Sequence, residues 1–196
     1  MCGRYQFTEE QSAEIKQIIQ EVQDKFGIEA AKAVRQGEIR PGSKMPALLG
    51  SEDGPTPELL IWGFRTPRSM LINARAETAL EKPAFAESTR YQHCVIPSTG
   101  FYEWDGDRRK YYFTMPGSTA LYMAAIFDVR SGIPCYCILT TEANDSMRGV
   151  HDRMPLVLTS EQLEPWLYDL KVTDSFLKMS PPLLEKTLLD NQLGLW

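Results

Sequence analysis

The 196-residue chain carries only two histidines and four cysteines, and these shortages narrow its chemistry. Cys2, Cys94, Cys135 and Cys137 do not form the closely paired knuckles that mark zinc sites, so neither a metal nor another cofactor is expected. The last three read as reduced core thiols, because free cysteine behaves as a small buried hydrophobe; a disulfide or a bound metal is the alternative. No run approaches the roughly 18 consecutive apolar residues of a membrane span, and Arg4 and Glu9 interrupt the start where a signal peptide would need an apolar stretch. A cytoplasmic location, nucleoid-associated if bacterial, and no membrane partner are expected. Internal repeats and low-complexity segments are also lacking. An excess of positive charge is missing too: the formal net charge of −5 weighs against nucleic acid, whose binding is driven by Lys and Arg neutralising phosphate. Global charge leaves room for a local basic groove, however, and Arg4, Arg65, Arg68, Arg75, Arg90, Arg108, Arg109, Lys110, Arg148 and Arg153 lie at or near the segments of interest.

With 43% hydrophobic and 24% charged residues, the chain has the size and composition of one globular domain over residues 1–196, with a monomer as the default. Ile15, Ile18, Ile19, Val22 and Phe26 recur at helical spacing between Glu10 and Phe26; Thr8 and Gln11 suggest a capping pair and Gly27 a stop. A weaker helical pattern covers 29–36, and Arg40-Pro41-Gly42 forces an extended turn. Short β-rich runs follow at 45–49, 59–64, 92–97, 100–104, 110–115, 121–129, 135–141 and 155–159, separated by turn residues such as Asp105-Gly106-Asp107. Further short helices are expected at 76–80, 143–148, 161–168 with Ser160 as cap, and 173–179. The tail from Ser180 has no assigned structure. Strands at this spacing suggest a closed or nearly closed antiparallel sheet.

Cys2 is the first chemical candidate. Methionine aminopeptidases usually remove Met1 when residue 2 is small, which leaves an α-amine and a thiol on one residue. With ordinary pKa values of about 7.7–8 and about 8.5, both are partly unprotonated near neutrality. The amine condenses with an aldehyde to an imine, and the thiol then closes a thiazolidine ring. Gly3 supplies a permissive backbone, and Arg4 a cation that would favour thiolate. Asn73, with Arg75 two residues on along an extended segment, is a second candidate, against the reading of a turn residue and a surface arginine. Glu103, set among the aromatics of Gly100-Phe101-Tyr102-Glu103-Trp104, is a general acid or base with a raised pKa, or else an ordinary strand carboxylate paired with a cation. His151, in the loop His151-Asp152-Arg153-Met154-Pro155, reads as functional more readily than His93, which lies in an apolar strand. Trp62-Gly63-Phe64 is either a stacking platform for unpaired bases or core.

Together these segments resemble the SOS-response-associated peptidase (SRAP) family. The resemblance is carried in order by Met1-Cys2-Gly3-Arg4-Tyr5, Arg40-Pro41-Gly42, Trp62-Gly63-Phe64, Asn73-Ala74-Arg75-Ala76-Glu77-Thr78, Cys94-Val95-Ile96-Pro97, Gly100 to Trp104, Thr140-Thr141-Glu142-Ala143-Asn144 and His151 to Pro155. It implies an α+β fold, a twisted antiparallel β-barrel-like core with peripheral helices. It also implies an abasic-site processing protein that forms a thiazolidine crosslink between Cys2 and abasic sites in single-stranded DNA. In that reading Cys2 is nucleophile through amine and thiol, Glu103 shuttles protons, His151 assists proton transfer, and Asn73 positions the sugar or the terminus. Arg4, Arg75 and Arg153 hold phosphates, while Pro41, Trp62 and Phe64 contact DNA, the two rings parting or stacking bases. The family name carries an alternative, a thiol peptidase with autoproteolytic activity built on Cys2, His151 and Glu103; lyase activity is a further implication. The chain departs from the family at Gln92-His93-Cys94, where two basic residues often precede the cysteine, and in the tail Pro181 to Trp196.

Overall fold

The structure, a computed structural model, describes residues 2–67, 69–129 and 132–189. Met1, Arg68 of the basic set and the apolar ending Leu193–Trp196 lie outside the described residues. The chain runs through β1 (Arg4–Phe7), α1 (Ala13–Phe26), α2 (Ile28–Ala33), β2 (Gly37–Ile39), β3 (Lys44–Ser51), β4 (Gly54–Trp62), β5 (Phe64–Arg65), β6 (Met70–Leu71), β7 (Asn73–Arg75), α3 (Ala76–Ala79) and α4 (Ala86–Tyr91). It continues through β8 (His93–Ser98), β9 (Gly100–Trp104), β10 (Lys110–Thr114), β11 (Leu121–Asp128), β12 (Cys135–Glu142), β13 (Arg153–Pro155), β14 (Val157–Leu158), α5 (Ser160–Tyr168), α6 (Thr173–Leu177) and β15 (Glu185–Leu189).

Five strands close a ring in the order β12–β4–β3–β8–β11 and back to β12. Closure removes the exposed strand edges that an open sheet would present. The barrel strands are buried on nearly every residue: β8 along its whole length and β12 over seven of its eight positions, each with a continuous apolar stretch, Cys94–Pro97 and Cys135–Leu139. The expected α+β barrel with peripheral helices is therefore present, with one refinement. Most of the pairings are antiparallel, but β12 runs parallel to β4 and to β7, because the chain crosses from Trp62 to Asn73 through the β5–β6 hairpin before β12 is laid down. A second antiparallel sheet, ordered β15–β10–β9–β1–β2, brings the amino-terminal strand alongside Gly100–Tyr102.

Gly63 makes the crossing possible. Its φ of 118° lies in the region that side-chain-bearing residues avoid, and a Cβ there would sit 2.4 Å from Met70 Cγ. Its N–H donates to Tyr136 O at 2.8 Å, locking the end of β4 against β12.

Several local expectations change. α1 starts at Ala13 and is capped by Ser12, whose Oγ accepts from Ile15 N at 3.2 Å; Thr8 makes no side-chain cap. α1 buries Ile15, Ile18 and Val22, as its spacing requires, while Phe26 stays exposed. Residues 143–148 form turns and no helix. Asn144 Oδ1 accepts from Ser146 N at 3.1 Å, and its Nδ2 donates to Pro181 O and Pro182 O at 2.9 and 3.0 Å, so the side chain competes with helical hydrogen bonding and pins the later chain. In α5, Gln162 Oε1 accepts from Thr159 N at 2.9 Å, placing the cap one residue before Ser160.

Candidate functional site

Cys2 precedes β1 and is completely buried. Two features hold it there. The strand that follows it, β1, is anchored by Tyr5, whose hydroxyl lies 2.9 Å from that of Tyr136 in the barrel. Its carbonyl accepts a 2.9 Å hydrogen bond from Asn73 Nδ2 on β7, a strand placed by its parallel register with β12, Ile138 opposite Asn73. Asn73 is thus brought directly to the terminus, and its Oδ1 is buried without a hydrogen-bond partner among the described residues. A buried amide acceptor without a donor costs roughly 1–3 kcal/mol, the kind of orphan that marks a site awaiting one.

Glu103 joins the same group. β9 turns Phe101 and Glu103 to the buried side and Tyr102 and Trp104 outward, so the carboxylate is 4% exposed and acts electrostatically on Cys2. Burial pushes the Cys2 thiol far above its ordinary range, and the Glu103 charge adds to that rise. The expectation that Arg4 would favour thiolate is corrected accordingly. Arg4 Nη1 is committed to Glu38 and its guanidinium lies over the Trp104 ring at 5.6 Å.

Trp62 and Phe64 do not form an accessible platform. Trp62 is fully buried, stacked on Tyr136 at 6.2 Å and 7° and tilted against Tyr5 at 5.2 Å. Phe64 is 5% exposed and packs against Phe85. Of the two readings of Trp62-Gly63-Phe64, core describes this structure, since stacking on a base requires an open ring face. Arg153 is likewise enclosed. Its guanidinium makes a bidentate pair with Glu77 at 2.7 and 2.8 Å and donates to Thr140 O at 2.7 Å, so the phosphate role expected of it conflicts with existing bonds. Desolvation pushes Glu77 upward, but the Arg153 hydrogen bonds and charge, together with backbone N–H groups of Glu77 and Glu142, outweigh it and hold the carboxyl below its usual range.

Arg75 is exposed, and Pro41 is half-buried in the turn before β3. His151 accepts from Arg153 N at 2.9 Å through Nδ1 when that nitrogen carries no proton; Asp152 Oδ1 lies 2.9 Å from the same atom, a contact that requires Nδ1 to carry one, in the neutral tautomer or the imidazolium. The loop therefore offers His151 Nδ1 two alternative partners, a backbone N–H when it is bare and a carboxylate when it carries a proton. His93 is structural as expected: buried, stacked on Trp166 at 3.9 Å, with its nitrogens 2.8 and 2.7 Å from Trp166 O and Thr89 O.

Two residues outside the sequence-derived set matter. Glu38 binds Arg4, Lys110 at 2.5 Å and Arg40 at 3.7 Å, three cations to one carboxylate, which leaves a positive surplus beside the half-buried Trp104. No motif signalled it. Glu77 lay inside the segment Asn73–Thr78, so its proximity to Arg75 was visible, but its pairing with Arg153, 76 positions away, was not. A cavity of about 570 Å³ bordered by Glu77, Glu81, Glu142 and Asp174 lies away from Cys2, and its acidic lining opposes phosphate.

A closed β-barrel with a secluded cysteine at position 2, its carbonyl bonded to an asparagine and a buried carboxylate beside it, defines a class of thiol-bearing barrel proteins. The profile of the SOS response associated peptidase (SRAP) family matches residues 1–189, and the chain belongs to that family. It is 30% identical to the abasic site processing protein YoaM of Bacillus subtilis strain 168, over 91% of this chain and 84% of that one. It is 31% identical to YoqW of the same organism, named likewise, over 85% and 80%. Among solved structures, a Bacteroides thetaiotaomicron protein superposes with a TM-score of 0.76 at 24% identity, covering 97% of this chain and 93% of that one, and shares its fold.

Proposed function

We infer that this chain processes abasic sites in DNA, and that it does so by forming a thiazolidine between an amino-terminal Cys2 and the ring-opened sugar aldehyde. Relatives named abasic site processing proteins support the substrate class. The observation that carries the mechanism is the confinement of Cys2: buried, its carbonyl held by Asn73, with Glu103 beside it. The reaction requires Cys2 to bear the α-amine, which removal of Met1 would supply. The amine attacks the aldehyde carbon, and loss of water gives an imine. The thiol sulfur then bonds to that carbon while the S–H proton ends on nitrogen, so the sequence balances without oxidant or metal.

A thiol kept protonated by burial and by a neighbouring carboxylate favours amine-led attack, with Glu103 receiving and returning protons. The same feature weighs against a thiolate-led peptidase. Asn73 Oδ1 is suited to accept from a sugar hydroxyl or the amine. Single-stranded DNA would meet the positive surplus around Arg4, Arg40 and Lys110, and Arg75 beyond Asn73 would hold a phosphate. His151, whose Nδ1 has both a donor and an acceptor within hydrogen-bond reach, would assist proton transfer.

The test is denaturing gel analysis and intact mass spectrometry of the protein mixed with a uracil-containing single strand, with and without uracil glycosylase. A denaturation-resistant adduct is expected only with glycosylase, and none from Cys2→Ala. No adduct from protein verified to lack Met1 would return plain DNA binding and thiol proteolysis to the front.

A further inference from the structure

Trp62 contacts both elements that hold Cys2. We propose that it is a positioning residue for the reaction, acting from inside the barrel through Asn73 and Tyr5; this rests on the reading of Cys2 given above. Its indole Nε1–H donates to Ile72 O at 3.0 Å, the carbonyl that immediately precedes Asn73. Ile138 N–H donates to the same oxygen at 3.2 Å, so the peptide leading into Asn73 is clamped by an indole on one element and by β12 on another. From that clamped peptide Asn73 reaches the Cys2 carbonyl at 2.9 Å.

On its other side the Trp62 ring fills the space between Tyr5 and Tyr136, whose hydroxyls bond at 2.9 Å. Tyr5, on β1, is three residues on from Cys2, and the Cys2 thiol acts electrostatically on the Tyr5 hydroxyl. One side chain thus fixes both the carbonyl end of Cys2 and the strand that delivers it. Misplacing a reacting group by even 1 Å lowers rates steeply, so a buttress of this kind acts on the chemical step and leaves DNA affinity alone.

The experiment compares single-turnover crosslinking rate and DNA dissociation constant for wild type, Trp62→Phe, Asn73→Ala and the double variant. Trp62→Phe should slow crosslinking roughly five-fold, the size expected for one lost neutral hydrogen bond, with an unchanged dissociation constant. The double variant should lose less than the two single losses combined, because the indole N–H acts through Asn73. Trp166→Phe, which removes a comparable buried indole bond to Cys94 O, serves as the stability-matched control and should crosslink at the wild-type rate. Benzothienylalanine at position 62 keeps the bicyclic shape and removes only the N–H, which covers the case of a Trp62→Phe protein that does not fold. Additive losses in the cycle, an unchanged rate in both position-62 variants, or an effect confined to DNA affinity would overturn the proposal. Absence of any wild-type crosslink would instead remove the reading of Cys2. The positioning claim would then be judged by the Asn73 side-chain amide resonances, expected to shift when the indole N–H is removed and unmoved if the claim is wrong.

Discussion

Arg75 and Arg153 flank the same strand and have opposite fates. β12 pairs Thr140 with Arg75 on one side and Glu142 with Arg153 on the other. Arg75 is exposed, whereas Arg153 is buried, its fork filled by Glu77 and Thr140 O. A sequence presents them as equivalent basic residues. The fold spends one on holding α3 to the barrel and leaves the other available, so local positive charge is to be counted from unpaired groups and not from residue types.

That contrast can be tested in descending order of effect. Arg153→Ala should lower unfolding free energy by about 2 kcal/mol, because the change leaves a cavity and an unpaired Thr140 carbonyl, while the Glu77 carboxylate, 41% exposed, regains water; denaturant titration reads it. Pairing Arg153→Met with Glu77→Gln should recover much of the loss, since an apolar side chain of similar volume then fills the cavity and no unpaired carboxylate faces it. A double variant as unstable as Arg153→Ala would argue that the guanidinium's own hydrogen bonds, including the one to Thr140 O, and not the volume it fills, are what Arg153 supplies. Arg75→Ala should leave stability within about 0.5 kcal/mol. It should weaken single-stranded DNA binding several-fold and reduce the salt slope of log K by roughly 1. Equal effects of Arg75→Ala and wild type across salt would remove Arg75 from the DNA path.

Acid provides the subtlest discrimination. Because the Glu77 carboxyl is held below its ordinary value in the folded state, its contribution is fully present above the usual carboxylate range near pH 4.3 and disappears as pH falls through the lower folded value. Wild-type stability should therefore drop in that acid window more than that of the Arg153→Met, Glu77→Gln variant. Parallel acid limbs would count against the pair as a source of that slope.

Much of the barrel was legible because its strands are long and strongly patterned; β3, β4, β8, β11 and β12 lie within a few residues of the runs read from β-rich composition. β1 was not assigned, although Tyr5 and Phe7 alternate with polar neighbours, since four residues are too few for a period to stand out. β15 carries no signal at all: Glu185, Lys186 and Thr187 are exposed, and its strand character comes from pairing with β10. α4 is six residues long and equally silent. Within the site, residue types and order identified Cys2, Asn73 and Glu103, and the fold brings these together. What the sequence could not convey was burial. Trp62 looked equally suited to bases or to core, and only the Tyr5–Trp62–Tyr136 packing decides between them. Cys2 looked like an activated thiol, and seclusion reverses that.

The most direct measurement compares two forms of the same protein, one with Cys2 amino-terminal and one with its α-amine blocked by a retained Met1, each incubated with an abasic single strand and resolved under denaturing conditions. Amine-led thiazolidine formation predicts a stable adduct from the free form alone, with DNA binding under native conditions preserved in both. An equally stable adduct from the blocked form would contradict it, because the thiol would then be sufficient without the amine.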